Sequence, residues 1–271
     1  MATNITPREL FEVASRTDPG RVREANEDHC VTFVTDDSAG LLVADGVSGA
    51  NGGDTASRLA AQVTQQAFLE GDSSLRLAKR LHRAVQQANI AVHDLALTVP
   101  ELRGMATTLT AVLLAPGEFY AAHVGDCRLY RLRAGRLSQL TKDHTVSAER
   151  MRLGVLSKAR ARHHPGRSTL TRSLGRELIA RVDQFSAPLA TGDVLMVCSD
   201  GIHSVLDDAV IQRLCRASSA ELACQALIEA AHEQGAPDNV TAAVARVFGA
   251  LPASPASSGL LGALNRKIRH A

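Results

Sequence analysis

Five acidic residues, far apart in the chain, share a local setting that suits them to metal chemistry. Asp45 ends the apolar run Leu41-Leu42-Val43-Ala44 and is followed by Gly46; Asp200 ends LMVCSDG and is followed by Gly201. Asp126 closes YAAHVGD, Asp28 closes RVREANED, and Asp238 lies in APDN. A carboxylate at the tip of a buried strand cannot stay charged without a partner. Glycine beside it lets a backbone carbonyl approach whatever the carboxylate holds, and a carboxylate with a carbonyl suits Mg2+ or Mn2+. Asp-Gly is also the commonest turn dipeptide, so one occurrence would mean only a turn; the recurrence is what carries the metal reading. No soft or imidazole ligand stands at these points, which disfavours zinc.

Gathered in one place, such acids repel one another unless cations separate them. A pair of divalent ions about 3.5–4 Å apart relieves the repulsion, lowers the pKa of a bridging water and templates in-line displacement at phosphorus. A phosphoryl group also asks for a planar cationic fork. Arg23 can supply one, and Arg21 is its rival, because the two fall on one face if residues 21–24 are extended.

The surrounding elements are legible from periodicity. Short apolar runs at 11–17 and 29–35 read as strands. A helix from a cap at Asp54 or Thr55 runs to about Leu69. A second starts at Asp72, Ser73 or Ser74 and carries Leu77, Leu81, Val85, Ala88, Val92 and Leu95 at spacings of three and four. Strands follow at 105–115, 118–125 and 127–132, joined by Pro116-Gly117 and Ala134-Gly135, then at 179–185, 193–199 and 239–248, with helices at 208–216 and 219–234. Hairpins and helix pairs in this order predict an α+β fold of largely antiparallel sheets with helices outside.

Composition narrows the class. The chain has 271 residues, 45% hydrophobic and 21% charged, with a net charge of +2, ordinary for one large globular domain and too little charge to imply nucleic acid. Aromatics make up 3% with no Trp, so stacking on single-stranded nucleic acid is disfavoured. Five scattered cysteines without CxxC spacing read as reduced thiols in a cytoplasmic protein. No signal segment and no run of about 18 apolar residues is found. Residues 142–181 hold ten Lys or Arg against three acids, whereas the rest of the chain holds twenty against twenty-five. Without apolar periodicity this basic stretch reads as an exposed mobile loop, either a solvated face or a flap toward substrate. Residues 1–9 are an N-terminal extension, 10–249 the domain, and 250–271 a Pro/Ser/Ala linker with a short basic tail.

The stretches RVREANED, VADGVSGANGGD, MATTLTAVL, AHVGDCRLYRL, LTKDHT, TRSLG, VCSDGI and APDNVT resemble, in order, the motifs of the metal-dependent serine/threonine protein phosphatases (type 2C, or PPM), in their compact bacterial branch. The resemblance covers about residues 10–248. It implies a four-layer αββα sandwich, two core Mn2+ or Mg2+ ions with a third, weaker one, and hydrolysis of phosphoserine and phosphothreonine by direct attack of a metal-bridging water. It implies Asp45 as bridging ligand with the Gly46 carbonyl on the first metal, and Asp200 and Asp238 on the second, joined by Asp28 and Glu27. Asp126 with Asp200 would hold the third ion. Arg23 matches the phosphate-binding arginine, and 145–170 the variable flap. Arg23, Asp45 and Asp200 are thus the expected catalytic set. The implied partners are phosphoproteins and an opposing serine/threonine kinase, for a monomer with no nucleic acid and no transmembrane segment. A catalytically silent phosphoprotein-binding module and a two-metal nucleotide hydrolase are the competing classes; intact acids oppose the first, and scarce aromatics the second.

Departures are few. Val47 stands where many eukaryotic members carry a proposed general-acid histidine, and Cys127 replaces a usual serine. His123 reads as a hydrogen-bonded core residue, and His144 as a structural residue at the flap entrance. His203 reads as a surface or supporting residue. Cys30 and Cys198 have acidic neighbours, wrong for catalytic thiols.

Overall fold

The computed structural model describes residues 7–47 and 52–249, so the tail and part of the glycine-rich loop lie outside the described residues. Two five-stranded antiparallel sheets form the centre. One has the order β1 (Phe11–Asp18), β10 (Val240–Val247), β9 (Val194–Cys198), β6 (Arg128–Arg133), β7 (Arg136–Gln139). The other runs β2 (Asp28–Val34), β3 (Ala39–Asp45), β4 (Leu109–Ala115), β5 (Glu118–Val124), β8 (Asp183–Pro188).

Alternation along the strands sorts side chains into three cores. Leu41 and Val43 join Val112, Phe119, Leu129, Leu195, Val197 and Ala243 between the sheets. Their neighbours Leu42 and Ala44 face the other way, onto Ala56, Ala60, Leu81, Val85 and Val92 of helices α2 (Gly53–Leu69) and α3 (Leu77–Thr98). On the opposite outer face, Tyr130, Met196 and Val244 pack on Ile211, Ala223, Leu227 and Ala231 of α7 (Asp208–Leu214) and α8 (Ala220–Glu233). The order helix, sheet, sheet, helix agrees with the expected α+β sandwich. Central strands such as β3 and β4 are buried on both faces, which is why they read as continuous apolar runs rather than alternating ones.

Boundaries moved where local chemistry competed. The cap of α2 is Gly52 in a left-handed conformation (φ 85°), not Asp54 or Thr55. Helix α3 begins after Arg76, because the Asp72 carboxylate is already used by the backbone and hydroxyl of Ser74 in a turn of its own. Residues 105–108 precede β4 as a loop, since Thr107 and Thr108 spend their bonds on Asp45. The stretch expected as a strand at 179–185 enters the sheet only from Asp183. The basic stretch is not irregular: it contains α4 (Val146–Arg152), capped by the Thr145 hydroxyl, and α5 (Lys158–Arg162), capped by Ser157. Both are too short for an apolar stripe, which hid them from periodicity. Two further short helices among the described residues are α1 (Pro7–Leu10) and α6 (Asp200–His203). No helix among the described residues is long and apolar enough to cross a membrane.

Phe68 shows how α2 and α3 are held. Its ring is 1% exposed, lies 5.9 Å from Phe33 and carries the Arg80 guanidinium 4.4 Å above it; the same Arg80 donates to the Phe68 carbonyl at 2.8 Å. The buried cation is thereby shared between a π face and a carbonyl. Phe68→Ala removes both ring contacts and is expected to cost about 3–5 kcal/mol in urea unfolding. A loss below about 1 kcal/mol would mean that the α2–α3 layer adds little to global stability.

Candidate metal centre

All five acids come together at one end of the sandwich. Asp28 opens β2 and Asp45 closes β3, and the antiparallel register sets them directly opposite. Because 41, 43 and 45 share a face, Asp45 turns toward the space between the sheets, where Leu41 and Val43 already point. Asp126 follows β5, Asp200 follows β9 as the first residue of α6, and Asp238 precedes β10.

The backbone holding Asp45 is tied from both sides. Its N–H donates to the Thr108 hydroxyl at 3.0 Å, and its carbonyl accepts from the Thr107 hydroxyl and the Thr108 N–H, both at 2.8 Å. Gly46 N–H donates to the Glu27 carbonyl at 3.0 Å. A Cβ on Gly46 would collide with the Gly53 carbonyl at the start of α2, so glycine is required here by close approach of two backbones. Gly201 has the same need, pressed against the Asn239 carbonyl.

Burial and mutual repulsion dominate the electrostatics. Burial pushes the Asp28 carboxyl up to about 7, against hydrogen bonds from Ser199 and Thr241, with Asp200 and Asp238 raising it further. Asp200 is pushed up to about 6 by burial and then by Asp238, with Arg23 and Arg128 pulling the other way. Asp45 and Asp126 are held well above the carboxylate range, again by burial first and by the neighbouring acids next. Each acid feels the others as like charge.

Among the described residues, no three acid, histidine or cysteine side chains are drawn tightly enough together to hold an ion as they stand. The acids reach one another as charges, over longer range than a ligand shell. Two contacts engage individual acids. The Ser199 hydroxyl donates to Asp28 at 2.6 Å, and Arg23 Nη2 lies 2.9 Å from Asp238 Oδ2. The Arg23–Asp238 pair is 42% and 34% exposed, so it yields readily to a stronger partner. All-oxygen donors, too close to ionise together, fit hard divalent cations.

Of the two arginines, Arg23 faces the acids, while residues 21–22 form a turn in which the Arg21 N–H donates to the Ala236 carbonyl. The chain is not extended at 21–22, so the two arginines do not share a strand face there. Residues 48–51 of the glycine-rich loop are outside the described residues. Val47 brings no proton donor, and its N–H is bound to the Ala106 carbonyl. Cys127 is buried with its thiol 3.1 Å from the Thr108 hydroxyl. His203 lies beneath the site, its Nε2 3.0 Å from the Asp126 carbonyl.

Sequence reasoning missed the second layer. Asn239 accepts from the Glu27 N–H at 2.8 Å and donates to the Pro19 and Ala25 carbonyls, stitching the RVREANED loop to the turn that carries Asp238 into β10. Ser199 links Asp28 to the Thr241 N–H. Both are the polar residue beside a motif aspartate, which is the signal that marks them.

Residues 21–218 match the family described as protein phosphatase 2C. The serine/threonine phosphatase stp of Listeria welshimeri is 35% identical over 231 residues, 83% of this chain and 92% of that protein. The crystal structure of the Mycobacterium tuberculosis phosphatase PstP/Ppp superposes with a TM-score of 0.80 at 33% identity, covering 88% of this chain and 99% of that one. The catalytic domain of PstP in complex with two manganese ions gives 0.77 at 32% identity, covering 88% and 99%.

A cation bound here must displace the protons that burial retains. Raised above their unfolded values, Asp28 and Asp200 favour the folded metal-free chain below about pH 4, a contribution lost as pH climbs through about 6 to 7. Mn2+ binding, opposed by those protons, strengthens over the same climb. The rise in melting temperature on adding Mn2+ is therefore expected to be small at about pH 5.5 and several degrees at about pH 7.5. A rise independent of pH would mean that these acids are not the ligands.

Proposed function

The chain belongs to the protein phosphatase 2C family, as a serine/threonine phosphatase of the PPM type, and on that premise we propose that residues 10–249 form a unit that hydrolyses phosphoserine and phosphothreonine in proteins, opposing a serine/threonine kinase. The observation that carries the reading is the convergence of Asp28, Asp45, Asp126, Asp200 and Asp238, each raised or raising its neighbours. Asp45, the Gly46 carbonyl, Asp28, Asp200 and Asp238 would hold two core ions, and Asp126 with Asp200 a weaker third. Mn2+ or Mg2+ there supplies an acidified water and neutralises phosphoryl oxygens.

The protein's own part is positional. Arg23 presents a planar fork to phosphate oxygens once it exchanges Asp238 for substrate. Asp238, freed from that pair, would be available to a cation, so substrate and metal loading would both draw on one labile contact. Thr107 and Thr108 fix the main chain of Asp45 and keep its carboxylate aimed between the sheets. Apolar Val47 leaves protonation of the departing serine or threonine oxygen to water.

Phosphate release from a phosphothreonine peptide is expected with Mn2+ and not with chelator; no release in either would overturn the reading. Asp200→Asn removes a buried charge from the proposed shell and should abolish turnover in limiting Mn2+ with the fold retained. Arg23→Ala should lower kcat/KM by roughly a hundredfold with metal affinity little changed, and Arg21→Ala should stay near wild type. The reverse order would give the phosphate to Arg21.

Beside the site would lie residues 145–170, which match the family's variable flap. Arg160 and Arg167 are exposed on it, and its charge would draw acidic phosphopeptides at low salt. Replacing Arg160, Arg162 and Arg167 together by Ala should weaken turnover of an acidic phosphopeptide in low salt and spare a small aryl phosphate. Equal loss on both substrates would make the flap a support for the chemistry itself.

A further inference from the structure

Both ends of the flap meet at one carboxylate. His144 precedes it, with Nε2 3.2 Å from Asp183 Oδ2; Arg172 follows it, with Nη1 2.7 Å from Asp183 Oδ1. Between these roots the backbone is zipped by Val146 N–H to the Thr169 carbonyl at 2.9 Å and Thr171 N–H to the His144 carbonyl at 2.8 Å.

His144 also faces the loop that carries Asp126. The Gly125 N–H donates to His144 Nδ1 at 3.1 Å, and the His144 N–H donates to the Gly125 carbonyl at 2.8 Å. A backbone N–H can only donate, so Nδ1 is the acceptor and the neutral ring carries its proton on Nε2, pointed at Asp183. Arg172, 3.2 Å from that same nitrogen, therefore binds the carboxylate rather than the ring. Two further ties run alongside. The ring of His123, 4.7 Å from that of His144, meets the Lys142 carbonyl at 3.1 Å. Asp143 receives Arg128 in a bidentate pair at 3.0 and 2.7 Å. Residues 142–144 are thus joined to the segment 123–128 at three points, and Asp126 lies inside that segment.

We propose that Asp183, with His144 and Arg172, is a latch that couples the closure of the flap to the placement of Asp126, making Asp183 a positioning residue for the weaker metal site. The inference rests on the reading of Asp126 given above. The two ends of the latch differ in strength. His144 is 4% exposed and bound by backbone on the Asp126 side, whereas the Asp183 side chain is 43% exposed beside an open cleft lined by His123, Lys142 and Phe185. Solvent competes for the exposed end, so the pair adds little to global stability and opens without unfolding. A rigid tie to Asp126 and a labile tie to the flap together make a hinge. When the flap settles on a substrate, Arg172 holds the Asp183 carboxylate against His144 and Gly125 is held; when the flap lifts and draws Arg172 away, the exposed carboxylate is free to leave the imidazole and the 125–126 loop loosens.

The test uses the full chain and three readouts on Asp183→Ala and Asp183→Asn, with Gln184→Ala on the same strand as control. They are the Mn2+ concentration for half-maximal hydrolysis of an aryl phosphate, the rate of tryptic cleavage within 145–171, and the melting temperature. Asp183→Ala is expected to raise the Mn2+ requirement roughly tenfold, with turnover recovered at saturating Mn2+. It should also speed flap cleavage several-fold and lower the melting temperature by only about 2 °C. Asp183→Asn, which keeps one acceptor, should move the same way by less, and it serves alone if the alanine variant fails to fold. Faster cleavage with an unchanged Mn2+ requirement would overturn the coupling, leaving a flap clasp only. A large drop in melting temperature with activity lost at every Mn2+ level would overturn it in favour of a scaffold role. Absence of Mn2+-dependent turnover in the wild-type chain would instead overturn the reading of the site itself, before any variant is compared.

Discussion

Like charge buried at the open end of the sandwich is the constraint on which the rest of the structure depends. Asp28 and Asp45 are neighbours across a β ladder, and both carry carboxyls that burial has pushed upward. An arrangement of this kind is unstable by itself, because the charged forms lack water and repel one another. Rigid packing beneath it keeps it in place. Strands β3 and β4, apolar on both faces, anchor the acid-bearing tips in two cores at once. The Thr107 and Thr108 hydroxyls then remove the remaining freedom of the Asp45 main chain. The energy of the wide apolar sandwich is what permits a narrow, unfavourable cluster at its rim.

The site is built in two tiers with different stiffness. Close to the sheets, Ser199, Asn239, Thr108 and His203 hold backbone and carboxylates through buried or part-buried hydrogen bonds of 2.6–3.0 Å. Further out, Arg23–Asp238 and Asp183–Arg172 are half-exposed ion pairs that solvent weakens. Solvent reaches both of these pairs, so either can open without disturbing the tier beneath. The two short helices of the flap belong to this outer tier, capped locally by Thr145 and Ser157 and fastened to the body at their roots.

Helical periodicity made one core layer legible, because the spacing of Leu81, Val85 and Val92 along one helix face is set by backbone geometry alone, whereas the continuous apolar run of β3 marked a buried strand without saying which side chains face which core. Asp72 shows where that reasoning stops: it has the residue type of a helix cap and spends its bonds in a turn instead. The flap helices were hidden for another reason. Stretches of seven and five residues hold too few turns to display a stripe, and their stability comes from capping and docking.

What the sequence by itself determined was chemical identity: carboxylates at strand ends, glycines beside them, and an order of motifs that led to the family. Those features lie within a few residues of one another, so local covalent geometry expresses them. Tertiary structure alone decided which of them meet. A turn at 21–22 sets Arg23 rather than Arg21 beside Asp238, and the link from Asn239 to Glu27 spans 212 positions. The convergence of both flap roots on Asp183 needed strand β8 to lie at the edge of its sheet. Contacts between residues so distant depend on how layers stack and register, and no local pattern records that.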